Sequence, residues 1–251
     1  MSPVDLLVVA GVALLAGGIN SIAGGGSLIL FPVLVALGMG TVAANVTNSV
    51  ALWPGYLGSV AGFRSMYGGQ RARIVRFSVV AVLGGAAGSV LLLTTPSEAF
   101  DVVVPALVLL ASLLVGASPL VTSRLRRREE AGPRRDPAWL YAALFLATVY
   151  GGYFGGALGV ILVAVLGLGL HHLKLANALK SVISAVTATV TVVVFGVFGP
   201  VDWLVVAVAA PTSLLGGFLG ARIATRIPAM PLRVLIVVFG VAVALYLFFR
   251  A

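Results

Sequence analysis

Ala44-Asn45-Val46-Thr47-Asn48-Ser49-Val50 and, 132 residues later, Ala176-Asn177-Ala178-Leu179-Lys180-Ser181-Val182 set one polar pattern into two otherwise apolar segments. The same offset carries Gly84, Gly85 and Gly88 onto Gly216, Gly217 and Gly220 without a gap, and Gly24, Ile29 and Leu30 onto Gly156, Ile161 and Leu162. Matches of Ala, Val, Ile or Leu are cheap in so apolar a chain. Matches of Asn, Ser and a glycine triplet are less so, and they point to a duplication; the alternative is a composition shared by all membrane helices.

Outward from these segments the chain is apolar nearly throughout. Its 251 residues are 61% hydrophobic and 9% charged, with a mean hydropathy of +1.16. Soluble domains carry about 25% charged residues, so lipid is the expected solvent for this surface. With no cysteine there are no disulfides and no thiolate metal sites. Apolar runs at 4–22, 43–63, 74–94, 102–121, 138–157, 175–198, 203–223 and 232–249 approach the roughly 20 residues that cross a bilayer. Two shorter ones, 26–39 and 158–170, are marginal.

The net charge of +9 is a topology signal rather than a nucleic-acid footprint. Arginines cluster at 64–76, 124–135 and 222–233, each between apolar segments, as cytoplasmic loops do. Glu98, Asp101 and Asp202 fall in the alternate loops. With the arginines inside, segment 43–63 runs inward and 175–198 outward, and both termini lie outside. The expected fold is an all-α polytopic protein of the bacterial inner membrane with two inverted-topology repeats. Each is a Gly-broken helical hairpin followed by three transmembrane helices, at 1–121 and 138–251, joined by a basic cytoplasmic linker at 122–137. No basic stretch precedes the first apolar run, so a cleaved signal peptide is not expected. Inverted halves with paired, Gly-interrupted segments are a pattern of secondary transporters, whose substrates bind near the midplane.

Gly18-Ile19-Asn20-Ser21-Ile22-Ala23-Gly24-Gly25-Gly26-Ser27, Asn45-Val46-Thr47-Asn48-Ser49, Gly151-Gly152-Tyr153-Phe154-Gly155-Gly156-Ala157-Leu158-Gly159 and Asn177-Ala178-Leu179-Lys180-Ser181 together resemble the sulfite exporter TauE/SafE family of anion permeases. The resemblance covers nearly the whole chain. It implies export or uptake of sulfite, a sulfonate or another small sulfur-containing anion, and leaves the particular anion open.

The residues themselves suggest where an anion would sit. A helix N-terminus carries about half a positive charge and unpaired N–H groups. Gly24-Gly25-Gly26-Ser27 breaks one segment and opens another, with Asn20 and Ser21 just ahead, and Gly155-Gly156 is the counterpart. The competing reading is close helix packing through small residues, which is the preferred one for the Gly84 and Gly216 triplets because no polar group adjoins them. Asn45, Asn48 and Ser49 share one helical face, as do Asn177, Lys180 and Ser181. Each face either looks into a polar cavity or supplies interhelical hydrogen bonds. Lys180 lies about 9 Å inside its segment, where an ionisable group is functional by default unless its stem snorkels to the interface. His171, His172 and Lys174 mark a turn at the membrane edge, with a pH-sensing role for the histidines as the alternative. No acidic residue falls deep in a span, so a carboxylate proton relay is not expected. Nor is a catalytic group: no cysteine or buried carboxylate exists, and the histidine pair lacks a HExxH context. The expectation is a transporter of a small anion, without cofactor, metal or nucleic acid, whose partners are that anion and the bilayer. An anion channel and a membrane scaffold are the alternatives.

Overall fold

A computed structural model describes residues 1–22, 25–127, 136–223 and 229–250. Among them are ten α-helices: α1 (Pro3–Ile22), α2 (Ser27–Ala36), α3 (Thr41–Gly62), α4 (Arg71–Thr94), α5 (Ser97–Arg127), α6 (Ala138–Tyr153), α7 (Leu158–Leu170), α8 (Leu173–Phe198), α9 (Trp203–Ile223) and α10 (Ala229–Arg250). A 3₁₀ turn at Arg64–Met66 links α3 to α4, and the described residues contain no strand. The expected Arg128, Arg134, Arg135 and Arg226 lie outside the described residues, as does Gly24.

Several helix starts follow from local chemistry. Ser2 and Asp5 cap α1 reciprocally: the Asp5 N–H donates to Ser2 Oγ at 3.2 Å and the Ser2 N–H to Asp5 Oδ2 at 2.6 Å, with Pro3 at the first helical position. Asp202 Oδ1 accepts the N–H groups of Leu204 and Val205, both at 3.1 Å, and starts α9. His171, with φ +53°, ends α7, and His172 Nδ1 accepts the Leu175 N–H at the start of α8. The histidine pair is the punctuation between two helices.

Six helices are long and apolar enough to cross a membrane: α1, α4, α5, α8, α9 and α10. Their outer faces carry large exposed hydrophobics such as Val79, Leu83, Leu113, Val197, Leu215 and Phe249, a surface that suits hydrocarbon. The chain is a multi-pass membrane protein. Helix α3 has the length, with 22 residues, but Asn45, Asn48, Ser49 and Pro54 dilute its apolarity and it is not among the six. The marginal segments resolve as short helices. With 10 and 13 residues, α2 and α7 are about 15 and 20 Å long, too short to span. The expected long segment 138–157 is shorter too. Helix α6 stops at Tyr153, because Gly155 (φ +76°) and Ala157 (φ +58°) turn the backbone left-handed. Ala157 is the counterpart, 132 residues on, of Gly25, which has φ +94°. Both hairpins therefore break with positive φ at the same place. Helix α5 runs on to Arg127, well into the stretch expected to be linker, and its basic last turn suits the negative end of the helix dipole.

The principal helix pairings survive exchange of each helix with the one five places away in the chain. Helix α1 packs on α9 and α6 on α4; α3 packs on α9 and α8 on α4; α3–α8 and α5–α10 map onto themselves. Glycines set the two tightest crossings. A methyl at Gly88 would strike the Val149 carbonyl, and one at Gly84 the Phe145 carbonyl and Thr148; one at Gly216 would strike the Leu14 carbonyl, and one at Gly220 the backbone of Gly18. The two glycine triplets are packing surfaces, α4 on α6 and α9 on α1.

Connections that are far apart in sequence meet at the two ends of the bundle. At one end the Thr41 hydroxyl donates to Asp101 Oδ1 at 2.6 Å, and the Asp202 N–H to Thr47 Oγ1 at 3.0 Å. At another place Arg73, opening α4, pairs with Asp136, just ahead of α6, at 2.9 Å. Basic connection thus meets basic connection, while the two acidic connections each reach the first turns of α3.

Candidate functional site

The two helix breaks converge on a small cavity of about 30 Å³. Its wall comprises Ser27 at the start of α2, Ser49, Leu52 and Tyr56 on α3, Gly151, Gly155 and Leu158 around the α6–α7 break, and Ser184, Thr187, Ala188 and Thr191 on α8. No ionised side chain lines it. Of the expected site residues, Ser27, Ser49 and Gly155 face this space.

The others stand around it in distinct roles. Asn20 stands beside the hydroxyl of Tyr56, a lining residue. Gly25 and Gly26 are buried ahead of α2, where a methyl on Gly26 would strike the Ala16 carbonyl; they let α2 start against α1. Asn45 is 1% exposed and ties α3 to the second break, its Nδ2 donating to the Tyr153 carbonyl at 2.9 Å. Asn48 is equally buried, and its Oδ1, like that of Asn45, has no partner. Gly156 packs beneath the Phe154 ring, and its carbonyl accepts the Tyr150 hydroxyl at 2.7 Å. Asn177 donates to the Leu173 carbonyl on its own helix at 3.0 Å. Ser181 joins α8 to α3, accepting from Ser59 Oγ at 2.9 Å. Gly24 and the side chain of Ser21 lie outside the described residues.

Lys180 is off the cavity wall but at its edge. It precedes Ser184 by one turn of α8, and its ammonium end lies against Gly159, the neighbour of the lining residue Leu158. It is partly buried and has no acidic partner among the described residues. Lys180, Ser184, Thr187 and Thr191 follow the spacing of one helical face. Sequence reasoning stopped that face at Ser181. Carrying the period forward from Lys180 would have found Ser184, Thr187 and Thr191.

A second, wider hollow of about 560 Å³ lies at the acidic end, among Val35, Thr41, Glu98, Asp101, Val104 and Leu247. Phe31 separates the two along α2, one turn from Ser27 and one from Val35. Its ring meets Phe154 edge-on at 5.6 Å, and Phe100 meets Tyr153 in the same manner.

A model of the family described as Sulfite exporter TauE/SafE matches residues 9–247. Proteins described as "Probable membrane transporter protein YfcA" from Escherichia coli strains K12, CFT073 (O6:H1) and O157:H7 are each 29% identical over 234 residues, covering 90% of this chain and 82% of theirs. No solved structure matches the chain.

Proposed function

The chain belongs to the sulfite exporter TauE/SafE family and is a membrane transporter, and from that premise we propose that it carries a small anion by alternating access around the cavity between its two helix breaks. The observation that carries the reading is that cavity. It sits where both broken hairpins meet the middles of α3 and α8 and is edged by the N-termini of α2 and α7. Paired broken hairpins in two halves are a pattern of carriers, which favours a carrier over a channel. The substrate site comprises Ser27, Ser49 and Gly155 on the wall, with Lys180 as the cation beside it. Asn20, Gly25, Gly26, Asn45, Asn48, Gly156, Asn177 and Ser181 shape the surrounding shell, to which Ser21 and Gly24 are assigned from the sequence alone.

The halves at 1–121 and 138–251 act as inverted repeats across a linker at 122–137. Support comes from the exchange-invariant helix pairing and from Asp202, which follows α8 yet bonds to Thr47 near the start of α3. The arginine-rich connections face the cytoplasm of a bacterial inner membrane, and both termini face outside.

Sulfite, a sulfonate or a related sulfur oxyanion is the substrate that the family description suggests, moving outward. A monovalent anion leaving a cell with a negative interior gains about 2.3 kcal/mol per 100 mV. Among the described residues, every carboxylate lies in a connection or the first turns of a helix, so export driven by the potential needs no carboxylate proton relay. Purified protein in liposomes tests this with a panel of sulfur oxyanions and carboxylates. Saturable flux of one class, driven by potential alone, is expected, and weakened binding in Lys180→Ala and Asn20→Ala. If both variants bind the best ligand like the unaltered protein, the site is misplaced; flux that demands an imposed proton or sodium gradient at zero potential overturns the mechanism.

A further inference from the structure

Resting on the anion-transport reading, one step can be taken from where the anion binds to what holds it and how much charge it carries. An anion needs proton donors, and most donors around the cavity are already committed. The Ser49 hydroxyl donates to the Asn45 carbonyl at 2.8 Å, and that of Thr187 to the Ile183 carbonyl at 2.9 Å. The Ser89 hydroxyl donates to Thr191 Oγ1 at 3.2 Å. The helix starts are closed as well. The N–H groups of Leu28 and Ile29 return to the Gly25 and Gly26 carbonyls, and that of Val160 to the Ala157 carbonyl. The helix ends therefore offer dipoles rather than a full set of free N–H groups.

Among the lining hydroxyls left without a partner, Ser27 is half-buried and Ser184 fully buried. Ser184 is 2% exposed, it lines the cavity, and its Oγ has no hydrogen-bond partner. A buried hydroxyl left unpaired costs about 1–3 kcal/mol, so an unpaired one on a cavity wall points to a partner that the chain does not supply. Its counterpart in the first half is Leu52, also on the wall. The duplicated cavity is polar at this position on one side only.

Charge follows from a similar accounting. At each break a helix C-terminus (α1, α6) adjoins a helix N-terminus (α2, α7), so the opposed dipoles largely offset one another. The formal charge left at the cavity edge is the single ammonium of Lys180, one turn before Ser184 and without an acidic partner among the described residues. A buried charge demands a counter-charge. A monoanion neutralises Lys180; a dianion leaves one negative charge uncompensated within the membrane.

We propose that the site takes a singly charged oxyanion, which accepts the Ser184 hydroxyl proton and serves as the counter-ion of Lys180. Ser184 is the specificity-determining residue, as a fully buried hydroxyl on the cavity wall that no group among the described residues engages.

The test measures binding to the full chain in detergent and counterflow in liposomes at zero potential, with methanesulfonate as the monoanion and sulfate as the dianion. Unaltered protein should bind and exchange methanesulfonate, with sulfate weaker by at least tenfold. Ser184→Ala should weaken methanesulfonate roughly ten- to hundredfold, as losing a hydrogen bond to a charged group does, while Ser184→Thr, which keeps a hydroxyl, restores most of it. Removing an unpaired polar atom should leave the melting temperature unchanged or raised, which separates lost binding from lost folding. Sulfate bound as well as methanesulfonate overturns the charge assignment, and Ser184→Ala binding like the unaltered protein overturns the role of Ser184. Failure of every anion in the wider panel overturns the transport reading itself.

Discussion

Replacing Gly88 with alanine adds one methyl group at the α4–α6 crossing, and the structure fixes what it meets. The added carbon would collide with the Val149 carbonyl oxygen and stand 2.9 Å from both the Val149 carbonyl carbon and the Tyr153 nitrogen. Ordinary contacts of this kind are near 3.5–4 Å, so the helices must separate by about 1 Å. All of these atoms are backbone, so no side chain can rotate away to make room. Overpacking of this kind costs about 1–3 kcal/mol, and for a chain of this size each kcal/mol shifts Tm by roughly 2–4 °C. Gly88→Ala should therefore lower the melting temperature in detergent by about 2–12 °C. Gly11→Ala is the matched control. Nothing lies within 4 Å of a methyl there, and helix propensity alone makes it neutral or up to about 1 kcal/mol stabilising. Equal melting temperatures for the two variants would refute the assignment of the glycine triplets to backbone contact.

Other consequences are as direct. Ala157→Gly should raise stability by about 1 kcal/mol, since glycine adopts φ +58° without the penalty a Cβ incurs; a melting curve that moves down contradicts the left-handed break. Asp136→Asn removes the charge facing Arg73, with side chains 4% and 20% exposed, and should cost about 1–3 kcal/mol; no change in Tm would show the pair is ornamental. Asn45→Leu frees the Tyr153 carbonyl and should destabilise the protein by about 1 kcal/mol, read as faster thermal inactivation of counterflow. Because the chain has no cysteine, single substitutions report sidedness directly. Gly68→Cys should react only with a reagent on the cytoplasmic face and Val201→Cys only with one outside; reversed labelling would invert the proposed topology.

Much of the fold was legible because the bilayer imposes a length. Apolar runs of about 20 residues separated by alternating basic and acidic connections leave few arrangements, and the glycine runs announced both breaks. What was hidden has a physical reason. The end of α6 depends on Ala157 adopting a left-handed conformation, which its residue type gives no reason to expect. Helix α3 reads as a span by length, yet its polar face is sheltered by α8 and α9 rather than by its own apolarity. At the site, Ser27, Ser49 and Gly155 stood out because they adjoin glycine runs or repeat across the offset. Asn45 stood out too, but it serves as a tie to Tyr153 rather than as a wall. Ser184, Thr187 and Thr191 are small residues of a kind common in any membrane helix, and only their burial and their bonding set Ser184 apart.

The glycine crossings also constrain how such a molecule can move. Where backbone touches backbone, nothing between the helices can yield, so α1 travels with α9 and α4 with α6 as two clasped jaws. The pivot then falls to α3 and α8, which meet through hydroxyl contacts such as Ser59 to Ser181 that can break and re-form cheaply. Each jaw unites a helix from the first half with one from the second. A stroke that opens one face thus draws on both halves at once, and neither half alone holds a complete jaw.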